Sequence, residues 1–184
     1  VYTTVAKTTG LKTSAKSTSV TLSWNKVSGA SGYTVYTLSS DGSYKSYKTV
    51  KTNSITISSV PHGKSYTFKV RAYKVIDGAN RYGAYSDPAY IATTPQTVKK
   101  VTFDHTKAKE KTVTISWSKV PYATEYYIYR YDSSSKSYKS IAKATGSSAT
   151  ITLDPGKDYT LKVRAYTSVG GKNYYGGYSP AVNT

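Results

Sequence analysis

Apolar and polar residues alternate along short segments of this chain, with a period of two. In VTLSW at 20–24, Val, Leu and Trp alternate with Thr and Ser, and in SYTFKVRAYK at 65–74 aromatic or aliphatic residues alternate with Thr, Lys and Arg. Such alternation predicts antiparallel strands that bury one face and expose the other. Asp-Gly pairs at 41–42 and 77–78 predict turns between strands. No segment shows a helical period, so we predict an all-β fold.

The whole pattern occurs twice, with an offset of 93 residues that places Trp24 opposite Trp117. VTLSWNKVSGASGYTVY at 20–36 aligns with VTISWSKVPYATEYYIY at 113–129, and DYTLKVRAYT at 158–167 repeats the segment at 65–74. A period of about 93 residues is the length of a small domain rather than of a solenoid repeat. We therefore predict two tandem domains, 1–95 and 96–184, with the boundary in ATTPQTVKK at 92–100.

Each copy divides into about seven short strands, which is typical of a sandwich or a barrel. The copies carry a Trp in the second strand, Tyr-x-Val nine residues later, and Leu-x-Pro-Gly-x-x-Tyr-x-Leu-x-Val-x-Ala near the end. On these residues both copies resemble a fibronectin type III domain. The second copy fits the last motif from Leu153 to Ala165, whereas the first copy has Val-Pro-His-Gly at 60–63 in place of its start.

This resemblance implies two tandem seven-stranded antiparallel β-sandwiches, immunoglobulin-like in architecture. It implies that Trp24 and Trp117 fill the two cores. It also implies that Tyr66 and Tyr159 are corner tyrosines, whose hydroxyls bond the backbone a few residues upstream.

The chain is strongly basic, with 26 Lys and Arg against 9 acidic residues and a formal charge of +17. The charge is spread over both copies: 12 basic and 3 acidic residues give +9 up to residue 95, and 14 and 6 give +8 beyond it. Such a balance favours weak contact with a polyanion such as nucleic acid, teichoic acid, anionic glycan or a membrane surface. An ordinary solvated lysine surface explains it equally.

Candidate catalytic and metal-binding residues are sparse. The sequence has no Cys and only 2 His, and its 7 Asp and 2 Glu are scattered. Asp41, Asp77 and Asp154 stand beside Gly or Pro in predicted turns. His62 and His105 are too far apart to supply a zinc site, and no nucleophile elbow, P-loop or dinucleotide fingerprint occurs. We predict no catalytic residue, no metal site, no cofactor and no enzymatic activity.

The sequence contains no apolar run of about 18 residues, the length that spans a bilayer. Its N-terminal VYTTVAKTTG also lacks the apolar stretch of a signal peptide. We expect no membrane insertion, and we expect the chain to be a mature product or an excised fragment.

Two regions are candidates for binding. On the solvent side of the segments at 65–74 and 158–167, Lys and Arg share a face with tyrosines. These cations either contribute to a binding surface or only cover the rings of neighbouring strands, as cross-strand pairs do. The outward residues are Thr67, Lys69, Arg71 and Tyr73, with Tyr36 nearby, and Thr160, Lys162, Arg164 and Tyr166, with Tyr127 and Tyr129.

The second region is a predicted long, Gly-rich loop before the last strand, KVIDGANRYGAY at 74–85 and TSVGGKNYYGGY at 167–178. Rigid rings among small residues suit adaptable binding loops and sugar-stacking surfaces. Alternatively, Tyr82 or Tyr175 begins the last strand, and Tyr85 and Tyr178 pack against the end of the sandwich. The candidate ligand-binding residues are Arg81, Tyr82, Tyr85, Lys172, Tyr174, Tyr175 and Tyr178.

No RNP motif, KH loop or zinc finger is present, so we expect no specific nucleic-acid partner. The Lys-, Tyr-, Ser- and Thr-rich composition is similar to that of modules attached to bacterial glycan-degrading enzymes and wall proteins. We expect a monomeric, extracellular pair of modules that spaces or presents neighbouring domains of a larger secreted or cell-surface protein, with weak attachment to polysaccharide or cell-wall polymer. The alternatives are a dedicated carbohydrate-binding module, for example for starch, and a protein-binding adhesin module.

Overall fold

The computed structural model describes residues 4–104 and 111–184. In these ranges the regular structure is β-strand, as predicted, and no helix is long and apolar enough to cross a membrane. The chain divides into two compact units, which we call domain 1 and domain 2. Domain 1 comprises the chain up to Val60 together with Ser65–Thr93, and domain 2 comprises Pro61–Lys64 together with Thr94–Thr184.

Domain 1 is a sandwich of two antiparallel sheets. The three-stranded sheet has the order β1-β2-β5, and the five-stranded sheet has the order β4-β3-β6-β7 with β8 also paired to β6. The strands are β1 (Lys12–Ala15), β2 (Ser19–Ser23), β3 (Gly32–Leu38), β4 (Tyr44–Val50), β5 (Ser54–Ser58), β6 (Ser65–Ile76), β7 (Ala79–Tyr82) and β8 (Ala89–Ala92).

Domain 2 repeats this arrangement, with sheets ordered β13-β10-β9 and β12-β11-β14-β15, and with β16 paired to β14. Its strands are β9 (Val101–Phe103), β10 (Thr112–Trp117), β11 (Glu125–Asp132), β12 (Ser137–Ala144), β13 (Ser148–Thr152), β14 (Thr160–Val169), β15 (Lys172–Tyr178) and β16 (Val182–Asn183).

The last strand of each sandwich is broken into two segments. In domain 1, β7 pairs with the end of β6 at Tyr73–Ile76, and β8 pairs with its beginning at Ser65–Phe68. The two segments therefore occupy one strand position at the same edge of the sheet. Counted by position in residues 4–104 and 111–184, each domain has seven strands, which confirms the predicted tandem sandwiches.

The two tryptophans lie in the cores, as the resemblance implied. Trp24 is 3% exposed and Trp117 is 6% exposed. The ring of Trp24 lies 5.4 Å from that of Tyr33, and the ring of Trp117 lies 5.3 Å from that of Tyr126. Both indole N–H groups are buried without a hydrogen-bond acceptor among the described residues. The favourable burial of these large apolar rings outweighs the desolvation of two N–H groups.

A tyrosine hydroxyl binds the upstream backbone at two places in domain 2. The N–H of Asp154 donates to Tyr159 Oη at 3.1 Å, which is the corner bond that the resemblance implied. In addition, the N–H of Val120 donates to Tyr126 Oη at 2.8 Å. Domain 1 repeats the second bond, since the N–H of Val27 donates to Tyr33 Oη at 2.8 Å. The core ring that packs on each Trp therefore also fixes the turn that precedes its own strand.

Candidate binding face

The predicted long loops are tight β-hairpins. Asp77 and Gly78 connect β6 to β7 with φ of 52° and 75°, and Gly170 and Gly171 connect β14 to β15 with φ of 56° and 74°. Two successive positive φ values define the two-residue turn that matches the right-handed twist of hairpin strands, and Asp-Gly and Gly-Gly suit it. The prediction of a long, Gly-rich loop was wrong, because the residues on both sides of each turn continue the ladder.

The hairpin geometry separates the candidate residues onto two faces. Residues paired directly across an antiparallel ladder share a face. The solvent side of each five-stranded sheet, which we call the outer face, carries Arg71 in domain 1 and Arg164 in domain 2. Tyr82 pairs with Tyr73 on this face. Tyr175 likewise pairs with Tyr166 on the outer face of domain 2.

The other candidates next to the turns point to the opposite side of the sheet. Arg81 pairs with Lys74, the neighbour of Tyr73. In domain 2, Tyr174 pairs with Thr167, and Lys172 pairs with Val169. The seven candidate residues thus do not form one surface in either domain.

Tyr85 and Tyr178 reach the outer face and stand on edge against a neighbouring ring. The ring of Tyr85 lies 5.0 Å from that of Tyr36 at an interplanar angle of 82°. The ring of Tyr178 lies 5.0 Å from that of Tyr129 at 79°. Tyr82, Tyr85 and Tyr178 remain 42%, 36% and 41% exposed. The structure therefore brings together Tyr82 with Tyr85, and Tyr175 with Tyr178, and leaves Arg81, Lys172 and Tyr174 apart from them.

An arginine lies at the centre of each cluster of rings. In domain 1, Arg71 Nε and Nη2 donate to Tyr36 Oη at 2.9 and 2.6 Å. The same guanidinium lies 3.9 Å from the ring centroid of Tyr82 and 4.7 Å from that of Tyr85. A cation over an aromatic face at this distance contributes about 0.5–1 kcal/mol at an exposed site. Arg71 thus links rings from three segments of the chain.

Arg164 has the same position in domain 2. Its guanidinium lies 4.7 Å from the ring centroid of Tyr175 and 4.8 Å from that of Tyr178. Its Nε donates to the carbonyl of Gly176 at 2.8 Å. The interpretation in which Lys and Arg cover rings of neighbouring strands therefore describes these contacts.

A lysine two residues before each arginine extends the pattern. Lys69 Nζ lies 4.3 Å from the ring centroid of Tyr44, and Lys162 Nζ lies 4.3 Å from that of Tyr138. The repeated set, which we call the tyrosine–cation face, consists of Tyr36, Tyr44, Lys69, Arg71, Tyr82 and Tyr85 in domain 1, and of Tyr129, Tyr138, Lys162, Arg164, Tyr175 and Tyr178 in domain 2.

Three phenols of this face, those of Tyr36, Tyr44 and Tyr129, stay protonated at neutral pH. Burial raises the pKa of Tyr36, of Tyr44 and of Tyr129 above the ordinary value of 10.0. A hydrogen bond with Tyr127 raises the pKa of Lys143, on the neighbouring strand of domain 2, so this lysine stays charged. These three phenols therefore present neutral O–H groups beside the Lys and Arg side chains of the face.

A buried serine follows Tyr85 in domain 1 and Tyr178 in domain 2, and it binds the backbone of the neighbouring strand. The N–H of Val70 donates to Ser86 Oγ at 3.0 Å, and the N–H of Ser86 donates to the carbonyl of Val70 at 2.7 Å. Val163 and Ser179 repeat both bonds at 2.9 Å. The serine side chain replaces a missing backbone acceptor where the last strand breaks, and so fixes the preceding residue, Tyr85 or Tyr178. Sequence reasoning missed these serines, although YGAYS and YGGYS repeat at the expected offset.

The glycines of the last strands allow the preceding chain to pack closely. A Cβ on Gly83 would lie 2.5 Å from the carbonyl oxygen of Ala6, and one on Gly176 would lie 2.9 Å from the carbonyl oxygens of Pro95 and Gln96. These contacts are closer than real Cβ atoms show, so any side chain here would displace backbone. Gly83 and Gly176 therefore reflect close packing rather than an adaptable loop.

The outer surface of each three-stranded sheet has a different chemistry. On β2, β5, β10 and β13 the exposed and half-buried positions alternate with buried ones such as Val20 and Leu22, and they carry hydroxyl groups. Thr21 and Thr56 lie opposite each other with their Oγ1 atoms 3.0 Å apart. This hydroxyl face consists of Ser19, Thr21, Ser23, Ser54, Thr56 and Ser58 in domain 1, and of Thr112, Thr114, Ser116, Ser148, Thr150 and Thr152 in domain 2.

Comparison with known proteins agrees with this architecture. A model of the PBP1-like, fibronectin3-like domain family matches residues 11–80. A solved two-domain fibronectin type III segment of chicken tenascin superposes with a TM-score of 0.55 and 17% sequence identity, over 96% of this chain and 98% of that chain. Residues 11–80 thus match a fibronectin type III-like family, and the chain has the fold of a tandem pair of fibronectin type III domains. Among curated proteins, none matches this sequence.

Fibronectin type III-like domains are generally non-catalytic spacer or binding modules. In residues 4–104 and 111–184 of this pair, no three His, Cys, Asp or Glu side chains are close enough to hold a metal ion. Asp41 lies in a turn, where its Oδ1 accepts the N–H of Ser43 at 2.9 Å. Asp154 is part of the corner motif and pairs with Lys157 at 3.0 Å. The second histidine, His105, lies outside the described residues.

Proposed function

We propose that this pair of domains spaces and presents neighbouring domains of a larger secreted or cell-surface bacterial protein, and performs no catalysis itself. The observation that supports the proposal is that polar side chains form contacts within the protein itself. In both domains the same arginine, serine and tyrosine positions bind to one another or to the backbone, and so maintain the sandwich. A spacer depends on a stable shape, and the repetition of these contacts in both domains supports that role.

Domain 1 also has a cavity with a volume of about 610 Å³. Among the described residues of its lining, the phenol of Tyr82 is a group that general acid–base chemistry can use, and no carboxylate or imidazole of those residues stands beside it. The lining consists of Thr4, Val5, Ile76, Arg81, Tyr82 and the residues at 83–84.

The edges of the five-stranded sheets suit a spacer that stays monomeric. The pairing of β3 with β4 shifts register between Val35 and Tyr36, and the pairing of β11 with β12 shifts between Ile128 and Tyr129. Irregularities of this kind twist an edge strand away from further pairing. Lys45 and Lys48 on β4 add charge to one of these edges, which opposes association with a second sheet.

Surface display tests the proposal. A reporter epitope is anchored to a bacterial wall either directly or through the 184-residue pair, and binding of an intact antibody is measured. A spacer should raise antibody binding, and an unrelated tandem β-sandwich of equal length should reproduce the increase. Equal binding with and without the pair would contradict a spacing role.

A further inference from the structure

The tyrosine–cation face carries positive charge that no carboxylate of the described residues neutralises. The ion pairs of the described chain involve Lys7, Lys45, Lys139 and Lys157. Lys69, Arg71, Lys162 and Arg164 form none of them, and their contacts are with rings, a phenol oxygen and a backbone carbonyl. The face is thus complementary to an anion.

The hydrogen-bonding capacity of this face is also incompletely used. A guanidinium has five N–H donors. Arg71 directs its described hydrogen bonds to one phenol oxygen, and Arg164 directs its described bond to one carbonyl. Each lysine ammonium lies over a ring that accepts no conventional hydrogen bond. The N–H groups of these side chains that have no described acceptor suit a ligand with many oxygen acceptors.

The orientation of the rings indicates which class of polyanion suits this face. Single-stranded nucleic acid is bound by rings on which bases stack. Here Tyr85 stands at 82° to Tyr36, and Tyr178 stands at 79° to Tyr129 and at 32° to Tyr138, so the rings do not form one flat platform. One side of Tyr82 and one side of Tyr175 are covered by guanidinium groups. The face therefore offers hydroxyl edges and cations, which suit hydroxyl- and carboxylate-bearing chains better than stacked bases.

The spacing of the cations suits a linear ligand. Lys69 and Arg71 lie two residues apart on β6, and Lys162 and Arg164 lie two residues apart on β14. Residues at this spacing on a strand share a face and lie about 7 Å apart. The hydroxyl face of the same domains carries oxygens in place of these cations and serves as an internal contrast.

We propose that the tyrosine–cation face of each domain binds a linear polysaccharide of uronic acids. The Lys and Arg side chains pair with its carboxylates, and the tyrosine hydroxyls donate to its hydroxyl and ring oxygens. Because the set occurs twice, the chain carries two equivalent sites. This activity is additional to spacing and does not depend on it.

The test uses the full pair, with polygalacturonate as the probe. Binding is measured by isothermal titration calorimetry at about 50 and about 150 mM salt, a range over which charge-driven binding weakens strongly. The variant Lys69→Gln with Lys162→Gln should weaken binding about fivefold or more and reduce its salt dependence. Lys12→Gln with Lys99→Gln removes the same charge elsewhere on the chain and should have little effect. Thermal unfolding of both variants checks that the fold is intact.

A second variant isolates the hydroxyl groups. Tyr85→Phe with Tyr178→Phe keeps the rings and the charges, so it should weaken binding with an unchanged salt dependence. Neutral dextran should not bind. The proposal is overturned if polygalacturonate does not bind, if both lysine double variants lose affinity equally, or if oligothymidylate binds as tightly as the uronate chain. Each of these outcomes leaves the display test of spacing unaffected.

Discussion

The hydroxyl of Tyr126 accepts the backbone N–H of Val120, six residues upstream, at 2.8 Å. The ring of the same tyrosine packs in the core beside Trp117. One side chain therefore joins the core of domain 2 to the turn before β11, and Tyr33 does the same in domain 1 through Val27. A buried N–H that loses its acceptor is costly, so this bond has a measurable contribution to stability.

Tyr126→Phe keeps the ring and removes the acceptor, so it should lower the free energy of unfolding by about 1–3 kcal/mol. Urea denaturation measures this change, and amide exchange should increase at Val120. Tyr131→Phe is the matched control, because Tyr131 is 42% exposed and its substitution should change stability by less than about 0.5 kcal/mol. Equal effects of the two substitutions would show that the bond adds nothing.

Ser179→Ala removes the side-chain oxygen that accepts the buried backbone N–H of Val163. A loss of about 1–3 kcal/mol is expected, together with greater mobility of Tyr178 in NMR relaxation. Ser148→Ala on the hydroxyl face provides the comparison, since that serine is exposed. An unchanged urea midpoint for Ser179→Ala would mean that water replaces the serine at no cost.

Gly176→Ala should destabilise domain 2 by about 1–3 kcal/mol, because the new methyl group would overlap two carbonyl oxygens. Gly83→Ala should act similarly on domain 1 through the carbonyl of Ala6. Gly146→Ala is the control, since a Cβ there meets no atom within 4 Å. Thermal unfolding of the three variants separates close packing from a general intolerance of glycine replacement.

The Asp41 turn should make domain 1 sensitive to acid. Hydrogen bonds from Ser43 lower the pKa of Asp41 from 3.8 to about 2. Since the unfolded state takes up a proton first, the stabilisation is complete above about pH 4 and is lost as the pH falls through about 2. Asp41→Asn should therefore flatten the stability profile between these values, as measured by urea denaturation at several pH values. A parallel profile in the variant would contradict this assignment.

The fold was predictable because its signals are duplicated and strictly periodic. The alternation around Trp24 and along β6 identified the core-facing residues, and the offset of 93 identified the second domain. The hairpin was harder to recognise. All four residues of β7 are exposed, so β7 extends beyond the core and shows no apolar alternation. A strand of this kind has the composition of a loop.

The partners of the outer-face cations were only partly predictable. Alternation placed Arg71 on the same side as Tyr36, and the structure joins them. Tyr85 reaches the same arginine only because the last strand breaks before Ser86. This break depends on a side-chain acceptor, and serine is so abundant in the sequence that one buried copy gives no distinct signal. Long-range packing, not local pattern, decides such a position.

The two hairpin turns also make the molecule convenient to modify chemically. A Cβ built on Gly78 or Gly171 meets no atom within 4 Å, and the adjoining Ala79 is exposed. These 184 residues contain no cysteine, so a single thiol introduced at residue 79 would be a unique attachment point within them. A dye, a spin label or a grafted peptide could be carried there without touching the buried serines or the arginine-centred rings.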